Sequence, residues 1–164
     1  MGVESTTDDY LFATPVAWRN GAIAGLLATV VMGLAISLGN LPILRDAIAG
    51  LYGQQGSLLA GWLAHLIHGT IFGVLFAAVL ADPGVVDVPH SARAMALAGT
   101  VFGLVLGVVG AGFVLPMWFS AINPGTMSVP TITTPLLIWH ALYGVVLGLG
   151  FALLERRHRT GPDD

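Results

Sequence analysis

The sequence predicts an all-α integral membrane protein, with four transmembrane helices built as two parallel tandem two-helix repeats. Three observations carry that expectation. The first is charge silence: no Asp, Glu, Lys or Arg occurs from Asn20 to Leu44, from Ala47 to Ala81 or from Ala94 to Leu154. Hydrophobic residues make up 55% of the chain, charged ones 9%, and the mean hydropathy is +0.85. A soluble domain carries roughly 25% charged residues, and a membrane helix needs about 20 apolar residues, so these windows suit a bilayer. The second is internal repetition. His65, Gly69, Gly73, Phe76 and Ala77 recur 75 positions later as His140, Gly144, Gly148, Phe151 and Ala152, while His68 becomes Tyr143. At an offset of 74, Ala24-Gly25, Gly33 and Leu41-Pro42 return as Ala98-Gly99, Gly107 and Leu115-Pro116. The third is a row of small residues four apart in every apolar window, such as Gly21, Gly25, Thr29 and Gly33, or Gly99, Gly103 and Gly107. In hydrocarbon no hydrophobic force draws helices together, so close backbone approach through such rows is a principal route to packing.

Taken in order, residues 1–13 are polar and acidic and are expected to form a disordered tail. Repeat 1 covers 14–81. Thr14-Pro15 offers an N-cap and a first-turn proline, opening a span over about 15–38. Gly39-Asn-Leu-Pro42 interrupts it. Ile43, Leu44, Ala47, Ile48, Leu51 and Tyr52 then recur at helical spacing around Arg45-Asp46, a segment that either lies flat at the interface or prolongs span 1 past a kink. Ser57 caps a second span over about 58–80. Residues 82–91 form a cytoplasmic loop, which Asp82-Pro-Gly84 opens. Repeat 2 covers 92–155: Ser91 caps a span over about 92–122, which Pro116 should bend by clashing with the Gly112 carbonyl. An ordered loop follows over 126–134, and Pro135 opens the last span, about 135–154. Residues 156–164 are a charged tail.

Orientation follows from arginine. Arg19, Arg93, Arg156, Arg157 and Arg159 flank one side and Arg45 alone the other, so the positive-inside rule puts both termini in the cytoplasm of a cell (plasma) membrane protein. Trp62, Trp118 and Trp139 then fall at the outer interface and Trp18 at the inner one. The net charge of −3 disfavours nucleic acid as a partner. Besides lipid, the expected partners are a second copy or another membrane subunit.

The histidines carry what chemistry there is. His65 and His140 hold equivalent places in the two repeats, at one depth in the outer half of the membrane, with His68 and Tyr143 about a turn deeper as a second tier. A buried imidazole needs a partner. One reading is hydrogen-bonding glue between helices. Another is a cofactor or metal site: His65 and His140 as axial ligands of a haem, with Gly69 and Gly144 leaving room for its ring, or His65, His68 and His140 around a transition metal. A proton or solute path is the third. Haem fits only if the glycine rows of spans 2 and 4 face spans 1 and 3, since directly packed helices lie about 8–10 Å apart. His90 and His158, in charged flanks, read as surface residues.

Several activities lack their residues. HxxH at 65–68 has no glutamate for a zinc protease, and no carboxylate lies within the apolar windows for a proton-coupled exchanger. The absence of cysteine removes disulfides and thiolate metal sites. The whole chain, with its HxxHG and HxxYG signatures, short acidic ends and lysine-free composition, resembles small four-span membrane proteins of halophilic archaea. Such sequences sometimes carry a histidine-kinase label, but these 164 residues hold neither a nucleotide-binding domain nor a soluble phosphoacceptor helix. The resemblance transfers no functional residue. The function expected is a non-catalytic subunit or scaffold packed through glycine-faced helices, with a ligand at His65 and His140; a small carrier or channel is the alternative.

Overall fold

A computed structural model of the protein describes residues 14–82, 91–122 and 127–159, so the expected N-terminal tail, most of the 82–91 loop with His90, and the end of the C-terminal tail lie outside the described residues. Every regular element among the described residues is helical. In chain order these are α1 (Pro15–Pro42), a π-helical segment (Ile43–Ile48), α2 (Leu58–Leu80), α3 (Ala92–Val105), a second π-helical segment (Leu106–Val114), α4 (Leu115–Ile122) and α5 (Thr134–Arg159). They form four spans long and apolar enough to cross a membrane: Pro15–Ile48, Leu58–Leu80, Ala92–Ile122 and Thr134–Arg157.

Local chemistry sets the helix starts. The side chains of Thr14, Ser57 and Ser91 accept from the amides of Ala17, Ala60 and Ala94 at 3.1, 3.2 and 3.2 Å, each using one of the amides a helix start leaves orphaned. The first span is longer than the 15–38 expected. Asn40 leaves helical geometry at φ −160° and ψ 71°, two residues before Pro42, and the chain resumes as the 43–48 segment instead of stopping. That segment packs back against α1 and α2 with Leu44 and Ile48 buried, so it prolongs the first span past the kink. Glycine at position 61 lets the Leu44 carbonyl meet the α2 backbone directly. Gly53 and Gly56, at φ 68° and 92°, then turn the chain into α2, and the Gly56 amide closes the turn on the Arg45 carbonyl at 2.9 Å.

Pro116 lies inside continuous helix, as the second residue of α4. The helix widens to π geometry over Leu106–Val114 ahead of it, giving the proline ring room without a break. The Gly112 carbonyl, which proline at i+4 leaves without its helical donor, accepts the amide of Thr131 at 2.8 Å. The loop before α5 is thereby sewn to the third span, with Ile132 set over Gly112. The last span starts at Thr134 and runs to Arg159, through the arginines at which it was expected to end.

Packing is by pairs. Gly25 of α1 lies against Gly69 and Gly73 of α2, while Gly99 of α3 lies against Gly144 and Gly148 of α5. In both crossings a side chain larger than hydrogen would meet the partner's backbone, so the helices pack at backbone contact. Helices α1 and α5 also run along each other. Near one end of that contact the buried Asn20 amide (1% exposed) donates to Glu155 Oε1 at 2.8 Å. Among the described residues α2 and α3 have no comparable contact; Phe76 reaches across to Phe102 with ring centroids 5.3 Å apart. The bundle is thus closed on three sides and bridged by aromatic side chains on the fourth.

Candidate functional site

The cavity that this arrangement leaves has a volume of about 440 Å³. Its walls come from α1, α2, the 106–114 segment and α5, and its lid from Tyr52 and Trp118, with ring centroids 6.4 Å apart, and the 127–133 loop. About one to two turns beyond the lining residues Phe72, Leu106 and Tyr143, Phe76 meets Phe151 edge-on at 5.7 Å and tilts against Phe102, an aromatic layer past the cavity. The lining is mostly apolar, and among the described residues no Asp, Glu, Lys or Arg contributes to it.

His65, His68, His140 and Tyr143 all line this one cavity. Helical spacing explains it: positions 65, 68 and 72 share one side of α2, and 136, 140 and 143 one side of α5. Their chemistry differs. The His140 Nδ1 lies 2.8 Å from the Leu136 carbonyl, one turn earlier. A carbonyl can only accept, so Nδ1 carries the proton and the neutral ring leaves Nε2 as an acceptor. The Tyr143 hydroxyl donates to the Gly69 carbonyl at 2.8 Å, tying α5 to α2 at the level of their glycines. The His68 Nε2 pairs with the Tyr52 hydroxyl at 2.5 Å. His65 is buried (7% exposed), edge-on to Trp62 at 6.2 Å, and its Nε2 has no hydrogen-bond partner among the described residues.

The geometry bears on two expectations. Gly69 and Gly144 were to leave room for a porphyrin. The glycine rows of α2 and α5 do face α1 and α3, as haem would require, but the space beside them is filled: the Thr29 side chain occupies that beside Gly69, and the Gly99 and Thr100 backbone that beside Gly144. A ring cannot take the place of either missing β-carbon, although the Gly69 backbone does line the cavity. His65, His68 and His140 were also weighed as metal ligands. They share a wall, yet no group of three or more His, Asp or Glu side chains among the described residues is close enough to hold a metal ion. Gly33 and Gly107 have the role expected of a glycine beside histidine, lying under the rings of Trp62 and His65 and under His140 respectively.

Tyr52, Trp118 and Trp139 also line the site. The sequence marked the tryptophans only as interfacial, and Tyr52 only as one residue of an amphipathic segment. The place of Tyr52 in the cavity follows from the fold-back at Asn40, for which Gly39-Asn-Leu-Pro42 was the local signal. The side chain of His158 lies outside what is described.

The unpartnered nitrogen separates glue from binding. If His65 were interhelical glue, replacing it would cost the about 0.6 kcal/mol of a typical bond in a membrane bundle. The ring does bond the Thr29 backbone of α1, but with Nε2 buried and unpaired His65→Leu also removes a desolvation cost of about 1–3 kcal/mol, which outweighs that loss. The variant is expected to melt at or above the parent's temperature in detergent, measured by loss of near-UV circular dichroism.

The chain matches no protein-family model, no curated protein and no solved structure.

Proposed function

We propose that this chain is a non-catalytic integral membrane protein, a binding module or subunit that holds a ligand between two copies of one helical hairpin. The observation that carries the reading is the cavity itself: about 440 Å³, uncharged, and lined by His65 and His140 from positions that correspond in the two halves of the sequence. Its size falls in the range of roughly 300–1,000 Å³ typical of small-molecule sites, which are mainly apolar with a few placed polar groups. Support for duplication comes from the paired contacts. Gly25 against Gly69, and Gly33 against His65, correspond in sequence to Gly99 against Gly144 and Gly107 against His140. Both termini face the cytoplasm of the plasma membrane in this reading, and the cavity lies in the outer half. The resemblance to four-span proteins of halophilic archaea belongs to the same proposal.

Full-length protein purified in mild detergent tests it. Organic extraction followed by mass spectrometry is expected to release a co-purifying small molecule from the parent and less from His140→Leu. Equal recovery from both would defeat the reading. A Soret band or stoichiometric metal would restore the haem or metal alternative against the filled glycine faces.

A carrier is the second reading. It is favoured by the unequal cover of the two ends: Phe76, Phe102 and Phe151 cluster beyond the cavity with Asn20 bonded to Glu155 further on, whereas Tyr52, Trp118 and the 127–133 loop alone cover the other. Uptake into proteoliposomes that vanishes with His65→Ala and His140→Ala would establish it.

A further inference from the structure

We infer that the ligand is a neutral, lipid-soluble ring compound of the quinone type, and that it enters sideways from the hydrocarbon between α2 and the 106–114 segment. The inference rests on the proposed reading of the chain as a membrane-embedded binding module and adds the class of ligand and its route.

The route follows from which helices touch. Helix α1 packs on α2 and on α5, and α3 packs on α5, whereas α2 and α3 are not packed along each other among the described residues. Above the cavity lie the 127–133 loop, anchored by the Thr131 amide on the Gly112 carbonyl, and the Tyr52 and Trp118 rings. Below it lie the three phenylalanines. The remaining side is the gap between α2 and the third span. Its flanks carry exposed Ile71 and Leu75 on one side and Val105 and Val109 on the other, all apolar, so the gap faces acyl chains and not water.

The ligand class follows from the lining. With no charged side chain around it, the cavity cannot neutralise an ion, and a charged ligand would bear its desolvation cost alone. The occupant is therefore neutral. Hydrogen-bonding groups occur on two walls from different spans: the His68 imidazole with Tyr52 on one, and His140 on the other. Apolar side chains fill the space between. A ring with oxygens on opposite edges meets that pattern. The quinol form can donate a hydroxyl to the acceptor Nε2 of His140, and the quinone form can accept from the Tyr52 hydroxyl when the His68 Nε2–H donates to that oxygen.

Trp118 and Trp139 line the cavity and report on it, since quinones quench indole fluorescence on contact. Full-length protein in detergent, titrated with a decyl-substituted benzoquinone, is expected to show saturable quenching. His140→Leu should weaken the affinity about tenfold or more. Ala111→Phe, which fills the cavity from the third span, should do the same independently of any histidine. Near-UV circular dichroism confirms that each variant is folded. Quenching that rises linearly without saturation, or saturates equally in both folded variants, overturns the inference. A parallel titration with retinol, a neutral lipophile with one hydroxyl, separates two failures. Saturable retinol binding without quinone binding sinks the ligand class and leaves the binding module standing. Neither ligand binding sinks both.

Discussion

Gly73→Ala is expected to destabilise the protein by about 1–3 kcal/mol, the usual cost of overpacking a well-filled interface. A β-carbon at residue 73 would fall 2.7 Å from the Gly25 Cα and closer still to the Gly21 carbonyl, and both are backbone atoms that cannot rotate away. The helices must separate, and dispersion along the whole α1–α2 crossing weakens with distance. Gly73→Leu should cost more than the alanine. The matched control is Gly110→Ala: nothing lies within 4 Å of a β-carbon there, and alanine is the better helix former by about 1 kcal/mol, so that variant should be neutral or stabilised. Thermal unfolding of the three proteins in one detergent checks the order. A Gly73→Ala protein as stable as Gly110→Ala would show that the glycine rows do not set the packing.

Asn20→Leu is expected to cost a similar amount, about 1–3 kcal/mol, for a different reason. Its amide donates across the α1–α5 contact to Glu155, and leucine leaves that carboxylate oxygen without its donor in a place where the asparagine was 1% exposed. Glu155→Gln retains an acceptor oxygen and should lose less than half as much. If the two variants are equally destabilised, shape and not the hydrogen bond holds the halves together. Because the residues corresponding to Asn20 and Glu155 in the other repeat are Ala94 and Leu80, no second copy of this bond can compensate.

Much of the fold was legible because charge is so costly in hydrocarbon. The three silent windows placed the spans, and Thr14, Ser57 and Ser91 marked three helix starts by ordinary capping chemistry. Ends were harder to place. Gly39-Asn-Leu-Pro42 left open a flat segment or a continuation past a kink, and the kinked continuation buries Leu44 and Ile48 against its own hairpin. Pro116 read as a bend, and the π geometry upstream that gives its ring room is spread over several residues, which no single position announces. The candidate site was half legible. The spacing of His65, His68 and His140 placed them in one cavity, because helical periodicity fixes which side chains share a side. The space beside Gly69 and Gly144 could not be read, since it depends on which helix each glycine faces. Asn20 and Glu155 gave no signal at all: they stand 135 positions apart and belong to no motif.

The unsealed side between α2 and α3 bears on how the molecule must be handled. In a bilayer, where the proposed function puts the chain, its final flank would be supplied by acyl chains, whose length and saturation should then act on stability as a mutation would. Stripping bound lipid with a harsh detergent should loosen Phe76 from Phe102 before it disturbs any of the glycine crossings.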